Sequence, residues 1–321
     1  MVDPDNTGQS DNPITFMKTS ENRTGISQKT ILVTDSGLGG MSVFARIASL
    51  LKKASPWQDV SLIYFNAWPE QDKGYNHFKT MNHRAQVFNS ALNAMETFKP
   101  DMILIACNTL SVVYPFTDHS QDNKTRVSGI VTHGVELIHE TLVSDKESQV
   151  IIFGTPTTIA ERSHEKALVK MGIDPNRIFN QGCTNLAGKI ERNPFGTEVS
   201  QMIDANVSQA VSKIHHPGNK IYAALCCTHF GYCSHHFKAA LSRHLKQDTI
   251  LLNPNQRMAD QAIKTPGHTG VFSPDIRMQV VSRVFWEPAR IDAYARLLKT
   301  ASPETVAALA DYQWKPELFD V

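Results

Sequence analysis

Two cysteine motifs in this 321-residue chain carry side chains that could move protons. Cys107–Thr109 (Cys-Asn-Thr) follows the apolar run Met102–Ala106, and Cys227–His229 (Cys-Thr-His) follows the apolar run 221–225. A thiol between a buried strand and a helix is expected to have a lowered pKa, because backbone N–H groups and the helix start favour the thiolate. Two such thiols flanking a substrate could remove a proton from one face of a carbon atom and return one to the other face. That chemistry inverts a stereocentre and requires no cofactor.

A third motif, Asp35–Gly40 (Asp-Ser-Gly-Leu-Gly-Gly), joins a predicted strand to a predicted helix. Its glycines permit a tight turn and a close approach of the backbone to a ligand. The loop lacks the G-x-G-x-x-G spacing and a Walker lysine, which argues against a nucleotide site. Asp35 could hold a ligand ammonium or orient a thiol, although helix capping alone would also explain Asp or Ser here.

Most free cysteines in proteins are buried as small apolar groups, so burial is the first expectation for all five. The polar neighbours of Cys107 and Cys227 would need hydrogen-bond partners inside a core, which favours a chemical role for these two thiols. Cys183, Cys226 and Cys233 lack such neighbours, and we expect them to be structural.

Short apolar runs alternate with amphipathic helical patterns after residue 28, which predicts βαβ units and a doubly wound parallel α/β sheet. Predicted strands are Ile31–Thr34, Val60–Phe65, Met102–Ala106, Val127–Val131, Val150–Phe153, Arg177–Asn180, Ile221–Leu225 and Thr249–Leu252. Predicted helices include Met41–Lys52, Thr157–Met171, Thr197–His215, His235–Lys246 and Ile291–Lys299. Ligands of such sheets bind beyond the carboxyl ends of the strands, where both thiol motifs fall. The two motifs lie one domain's length apart, so we expect two similar α/β halves, each offering one thiol to a cleft between them.

The three motifs together resemble the glutamate racemases of the aspartate/glutamate racemase superfamily in order and in spacing. Weaker similarities are Gly154-Thr155 with Thr158-Ile159, the stretch Leu186–Glu191, and Leu252-Asn253. The resemblance implies a cofactor-independent racemase with two similar α/β domains and no metal. Its domain bounds are expected at 29–128 plus 232–300 for the first domain and 129–231 for the second. Residues 1–28 are expected to form a disordered polar arm, and residues 301–321 a C-terminal tail.

The resemblance also implies roles for individual residues. The two catalytic cysteines of the family fall on Cys107 and Cys227, which would act on the D and L enantiomers respectively. Asp35 and Ser36 match residues beside the substrate amino group and the first thiol. His229 matches the histidine that assists the second thiol, and Glu191 matches a carboxylate near that histidine. The matching substrate-contacting positions are Asn108, Thr109 and Thr228.

Three positions depart from the family's pattern. The family usually carries Asp and then Pro-Tyr-Gly after the second strand, where backbone groups hold the distal carboxylate of the substrate. Here the segment 66–75 differs and includes Trp68 and Lys73. Gly231 replaces a usual proline, and His164 replaces a common tyrosine. These departures bear on side-chain specificity rather than on reaction type.

Composition excludes several other classes of protein. Charged residues make up 20% of the chain and the formal net charge is +1, with no block of like charges, so neither nucleic acid nor a membrane surface is an expected partner. Residues 1–28 lack the apolar segment of a secretory signal, and an odd number of cysteines argues against a disulfide framework, so a cytoplasmic location is expected. The adjacent histidine pairs at 215–216 and 235–236 are expected to be solvated.

Three hypotheses about function remain at this stage. The leading one is a glutamate racemase that supplies D-glutamate for peptidoglycan. The second is a racemase or isomerase acting on aspartate or another small dicarboxylate, because the segment 66–75 is altered. The third is a non-catalytic member that binds a metabolite or a partner, because the tail 301–321 could pack on a neighbour. The expected substrate is a small acidic amino acid, with a homodimer left open.

Overall fold

A computed structural model describes residues 28–71, 73–122, 125–214, 220–264 and 272–321 of the chain. The strands of this part are β1 Gln28–Asp35, β2 Asp59–Asn66, β3 Met102–Ile105, β4 Arg126–Gly129, β5 Gln149–Gly154, β6 Ile178–Gly182, β7 Ile221–Cys226, β8 Ile250–Leu252, β9 Asp275–Ser282 and β10 Gln313–Trp314. The helices are α1 Met41–Lys53, α2 Met81–Glu96, α3 Asn108–Val113, α4 Ile130–Ser144, α5 Pro156–Glu161, α6 Ser163–Lys170, α7 Leu186–Arg192, α8 Thr197–Val211, α9 Ser234–Leu245, α10 Pro254–Ala262, α11 Pro288–Leu298 and α12 Pro303–Ala310.

The strands form two parallel sheets. The larger sheet has six strands in the order β10-β9-β2-β1-β3-β4, and the smaller has four in the order β6-β5-β7-β8. Chain order and sheet order differ in both sheets, so helical crossovers connect the strands and cover the two faces. The predicted class of two doubly wound α/β units is therefore the observed one.

Each sheet is buried on both faces, because side chains alternate along a strand. In β1, Ile31 and Val33 pack into one core cluster of the larger sheet while Leu32 packs into the cluster on the opposite face. In β7, Leu225 and Cys226 likewise point into different cores of the smaller sheet. This two-sided burial explains why the strands read as continuous apolar runs rather than as alternating patterns.

The smaller sheet is an insertion between β4 and α10, and its extent differs from the expected second domain. The chain leaves the larger sheet at Gly129 and returns to the larger unit at α10 rather than at residue 232. Strand β8 pairs with β7, and α9 buries Phe237 and Leu241 in the core of the smaller sheet. Residues 232–252 therefore pack with the second unit, because their apolar side chains complete its core.

The segment 301–321 is integrated into the larger unit instead of forming a separate tail. Leu309 and Phe319 are buried in its two cores, and β10 extends the edge of its sheet. Tyr312 accepts a hydrogen bond from the backbone N–H of Trp286 at 2.9 Å. Most of the apolar side chains expected to contact a neighbour thus pack within the chain, while Trp314 remains exposed.

Several elements were missed or merged in the sequence-based prediction. The predicted helix Thr157–Met171 is two helices, α5 and α6, broken at Arg162, whose φ of 52° ends the first. Strand β9 was not predicted, although it pairs with β2 along eight residue positions. Asp275, Arg277 and Gln279 interrupt its apolar residues, so β9 lacks the continuous apolar run that identified the other strands.

Two further expectations concern the start of the chain and membranes. The expected arm, residues 1–28, lies outside the described residues except for Gln28, which begins β1. Within the described ranges, none of the helices combines the length and the apolar character needed to cross a membrane.

Candidate active site

One cleft between the two units contains every predicted site residue. Its volume is about 570 Å³, including open solvent at the mouth. The nine predicted residues among its lining are Asp35, Ser36, Cys107, Asn108, Thr109, Glu191, Cys227, Thr228 and His229. They come together because parallel strands end at the same edge of a sheet: Asp35 ends β1, Cys107 lies two residues beyond β3, and Cys227 directly follows β7.

Cys107 caps the start of α3 and belongs to the larger unit. Its sulfur accepts a hydrogen bond from the backbone N–H of Leu110 at 3.5 Å and lies 3.2 Å from the Ser36 hydroxyl. Burial, followed by the nearby charge of Asp35, raises the pKa of the Cys107 thiol to about 12, and these two hydrogen bonds oppose the shift only in part. The expectation of a lowered pKa is therefore wrong for Cys107 in this structure, because desolvation outweighs a helix of only six residues.

Asp35 connects the two units. Its Oδ2 accepts a hydrogen bond from the Thr228 hydroxyl at 2.8 Å, and its carboxylate is fully buried. Burial raises the pKa of Asp35 to about 6, against the opposing effects of His229 and of the Thr228 hydrogen bond. The other oxygen, Oδ1, is buried without a hydrogen-bond partner.

Cys227 belongs to the smaller unit and begins a buried chain of polar contacts. Its sulfur lies 3.9 Å from His229 Nδ1, and His229 Nε2 lies 2.6 Å from Glu191 Oε2. Burial lowers the pKa of His229, but the contacts with Cys227 and Glu191 outweigh burial and raise that pKa well above its usual value. The histidine is therefore expected to retain its proton near neutral pH.

The glycine loop allows this close assembly. A Cβ atom at Gly39 would lie 2.3 Å from Thr228 Oγ1 and 2.6 Å from His229 Nδ1, and one at Gly37 would lie 2.9 Å from Glu191 Oε2. Only the absence of a side chain lets the loop of the larger unit lie against Thr228 and His229 of the smaller one.

A chain of hydroxyl groups joins the units on another side of the cleft. Thr109 Oγ1 lies 2.9 Å from Thr155 Oγ1, which lies 3.0 Å from Thr158 Oγ1. The similarity noted at Gly154-Thr155 and Thr158 thus falls in the cleft wall, and Thr155 is a lining residue that the site prediction omitted.

Several polar atoms of the lining are buried without a partner. They are both side-chain heteroatoms of Asn108, Oδ1 of Asp35, Oε1 of Glu191, the Tyr75 hydroxyl and the Trp68 indole N–H. Buried polar groups in folded proteins are nearly always hydrogen-bonded, and their concentration in one cleft indicates a polar ligand.

The segment that departed from the family's pattern forms part of the wall. Trp68 and residues 74–77 line the cleft, whereas the Lys73 ammonium donates to Glu70 at 3.2 Å on the surface. Sequence reasoning noticed Trp68 but missed Tyr75, whose aromatic ring packs against Phe78 and Phe88. The only sequence signal for Tyr75 was that the segment 66–75, directly after β2, departs from the family's pattern.

The remaining thiols lie apart from this chemistry. All five cysteines are free, and Cys183, Cys226 and Cys233 are buried in the cores of the smaller unit. Among the side chains that the structure describes, no group of three or more His, Cys, Asp or Glu is arranged to hold a metal ion. Of the pair at 235–236, His235 is exposed, as expected, whereas His236 is half-buried; the pair at 215–216 lies outside the described residues.

Comparison with known proteins gives the same resemblance as the motifs. No family model matches the chain. The chain is 24% identical over 249 residues to a glutamate racemase of Aliarcobacter butzleri (strain RM4018), covering 74% of this chain and 84% of that relative. The crystal structure of a glutamate racemase from Campylobacter jejuni subsp. jejuni matches with a TM-score of 0.61 at 22% identity, covering 84% of this chain and 98% of the other.

A third similar protein is a glutamate racemase from Francisella tularensis subsp. tularensis SCHU S4, solved in complex with D-glutamate. It matches with a TM-score of 0.61 at 18% identity and covers 84% of this chain and 94% of that one. The resemblance to glutamate racemases is therefore confirmed, and so is the predicted two-unit α/β fold. The structural likeness, at these identities, concerns the fold alone.

Proposed function

We propose that the chain is a cofactor-independent glutamate racemase in which Cys107 and Cys227 exchange protons with the α-carbon of the substrate. The observation that carries the proposal is the arrangement of the two thiols. Each comes from a different unit, both line one cleft, and each has its own polar partner, Ser36 for Cys107 and His229 for Cys227. The similarity to glutamate racemases in sequence supports the same reaction.

The proton transfers balance within the two thiols. With L-glutamate bound, the Cys227 thiolate takes the α-proton, and the Cys107 thiol gives its own proton to the opposite face of the carbanion. The reverse reaction starts with Cys107 as the thiolate and Cys227 as the thiol. Protonated His229 would stabilise the Cys227 thiolate, while the raised pKa of Cys107 keeps it a thiol, which suits a resting protein prepared for the L enantiomer.

The cleft offers partners for a zwitterionic substrate. The buried Asp35 carboxylate could hold the substrate ammonium, whose positive charge would also offset the cost of forming a thiolate at Cys107. Donors such as the Asn108 amide, which lacks a partner, would stabilise the charge that develops on the substrate carboxylate when the α-proton leaves. The Thr109 hydroxyl contacts Thr155, and the Thr228 hydroxyl donates to Asp35. We propose that both threonines also contact the substrate, so that each stabilises the cleft wall and binds the ligand.

A second candidate is a racemase for aspartate or another small dicarboxylate. The observation that favours it is the altered wall at Trp68 and residues 74–77. A bulky indole narrows the cleft where this chain departs from the family, which would suit a shorter acid.

The cellular role follows from the proposed product. We propose that the enzyme supplies D-glutamate for peptidoglycan and acts in the cytoplasm. The free state of all five cysteines supports a reducing compartment.

The deciding experiment follows solvent deuterium into the α-position of amino acids by NMR in D₂O. The wild type is expected to label both L- and D-glutamate and to interconvert them. Cys107→Ser and Cys227→Ser are each expected to lose about 10²–10⁴-fold in racemisation, because an alcohol is a far weaker acid and base than a thiol.

Cys226→Ala is the matched control, because this adjacent thiol points into the opposite core and does not line the cleft. It is expected to keep nearly full activity. Labelling of aspartate without glutamate would favour the second candidate, and no labelling of any acidic amino acid would favour a non-catalytic protein. Near-normal turnover by both serine variants would refute the two-thiol mechanism.

A further inference from the structure

Glu191 is a buried carboxylate that receives contacts from both units. Its side chain is 1% exposed, and its Oε2 accepts from the backbone N–H of Leu38 at 2.9 Å and from the Tyr294 hydroxyl at 3.4 Å, in addition to the contact with His229. The guanidinium of Arg290 lies 4.0 Å from the other oxygen. A buried carboxylate stays ionised only when donors and positive charge compensate its desolvation.

Two of these contacts come from α11, a helix of the larger unit that no sequence motif marked. Tyr294 is fully buried, and its ring packs edge-on against Tyr232 with the centroids 5.3 Å apart. On the same helix, Arg296 stacks over the ring of Phe195, which belongs to the smaller unit, at 4.7 Å. Helix α11 thus contacts the smaller unit at Glu191 and at Phe195.

We propose that Tyr294 is a positioning residue for the acid–base pair of Cys227 and His229, acting through Glu191; this inference rests on the proposed racemase function. The Tyr294 hydroxyl helps to orient the Glu191 carboxylate. Glu191 holds the His229 ring through Nε2 and leaves Nδ1 directed at the Cys227 sulfur. When the Cys227 thiol gives its proton to the substrate carbon, the new thiolate then lies beside a protonated imidazole.

The sign of the effect follows from the groups around His229. Its charged or titratable neighbours are Glu191, Cys227 and Asp35, with Arg290 beyond the carboxylate. Tyr294→Phe alters none of these charges and removes only a donor to Glu191. The negative charge of Glu191 is then shared with one donor fewer and attracts the His229 proton more strongly, so His229 should lose its proton at a higher pH.

The experiment is an NMR titration of His229 in the full chain labelled with ¹³C-histidine, with the signal assigned through His229→Gln. We expect the midpoint of the His229 titration to rise by about half a pH unit or more in Tyr294→Phe, since a change in the hydrogen bonds of a charged partner commonly shifts a pKa on this scale. The pH profile of racemisation should shift in the same direction.

Tyr232→Phe is the matched control. It also removes the hydroxyl of a buried tyrosine in the same aromatic pair, but that hydroxyl donates to the Leu38 carbonyl at 3.1 Å and not to Glu191. Its His229 midpoint should stay near that of the wild type. An equal shift in both variants, or no shift in Tyr294→Phe, would overturn the proposal.

A second variant covers the case in which Tyr294→Phe does not fold. Site-specific 3-fluorotyrosine at position 294 keeps the ring and the geometry but donates a stronger hydrogen bond to Glu191, so the His229 midpoint should fall instead of rising. An unchanged midpoint there would also count against Tyr294. Because the titration requires no turnover, a protein that fails to racemise glutamate could still give the expected shift, which separates this proposal from the proposed function.

Discussion

Replacing Gly39 with alanine tests whether the close contact between the two units creates the active site. The added methyl group would lie 2.3 Å from Thr228 Oγ1 and 2.6 Å from His229 Nδ1, whereas ordinary contacts begin at 3.4 Å. No positive φ is involved at this position, so the effect is purely steric. Thr228 and His229 of the smaller unit must therefore move away from the loop of the larger one.

The size of the effect follows from this distance. Thr228 and His229 must withdraw by about 1 Å, and neither is the far end of a flexible chain. Such a displacement breaks the 2.8 Å hydrogen bond from Thr228 to Asp35 and lengthens the contact between His229 and Cys227. Misplacement of a catalytic group by 1 Å costs about 100-fold in rate, and overpacking of this kind costs about 1–3 kcal/mol of folding free energy.

The assay compares kcat/KM for glutamate racemisation and the free energy of unfolding of Gly39→Ala with those of Gly182→Ala. A Cβ atom at Gly182 would have its nearest contact at 3.9 Å, so this control adds the same methyl group without a clash. We expect a loss of about 100-fold in the first variant and little change in the second. If Gly39→Ala kept wild-type kcat/KM, the inferred contact between loop and motif would be refuted.

Two further predictions concern buried polar groups of the cleft. Tyr75→Phe removes a hydroxyl that is buried without a partner, so the melting temperature should stay the same or rise. If the substrate takes that hydrogen bond, KM for glutamate should increase by about 2–10-fold, and a loss of stability with unchanged KM would contradict this assignment. Asp35→Asn removes a carboxyl whose pKa is raised from 3.8 to about 6. Between these pH values the native protein binds a proton at Asp35 that the unfolded chain has released. The stability of the wild type therefore falls as the pH rises through this window. Asp35→Asn should therefore be more stable than the wild type above pH 6, by about 3 kcal/mol at most, and should lose this advantage below pH 4. Denaturant unfolding at pH 4, 6 and 8 measures the difference in the free energy of unfolding. A difference that does not depend on pH would show that the Asp35 carboxyl is not its cause.

The amino-acid sequence by itself determined the fold class and the edge of the sheets at which the proposed site residues lie. Apolar runs such as Met102–Ile105 are buried on both faces, so composition alone identifies them as strands of a parallel sheet. Polar residues that directly follow those runs, Asp35, Cys107 and Cys227, must lie at the carboxyl edge, since parallel strands end on one side. The local pattern of apolar residues and the parallel direction of the strands are sufficient to place these residues at that edge.

Other features were decided only by the tertiary structure. The pairing of His229 with Glu191 and the contact of Tyr294 with that carboxylate join residues 38 and 103 positions apart in the chain. The pKa of Cys107 is raised and not lowered, because burial in the core of the larger unit outweighs the local effect of a short helix. The distances across the interface and the desolvation of buried groups depend on how whole units pack together. The periodicity of apolar residues within one segment therefore cannot predict them.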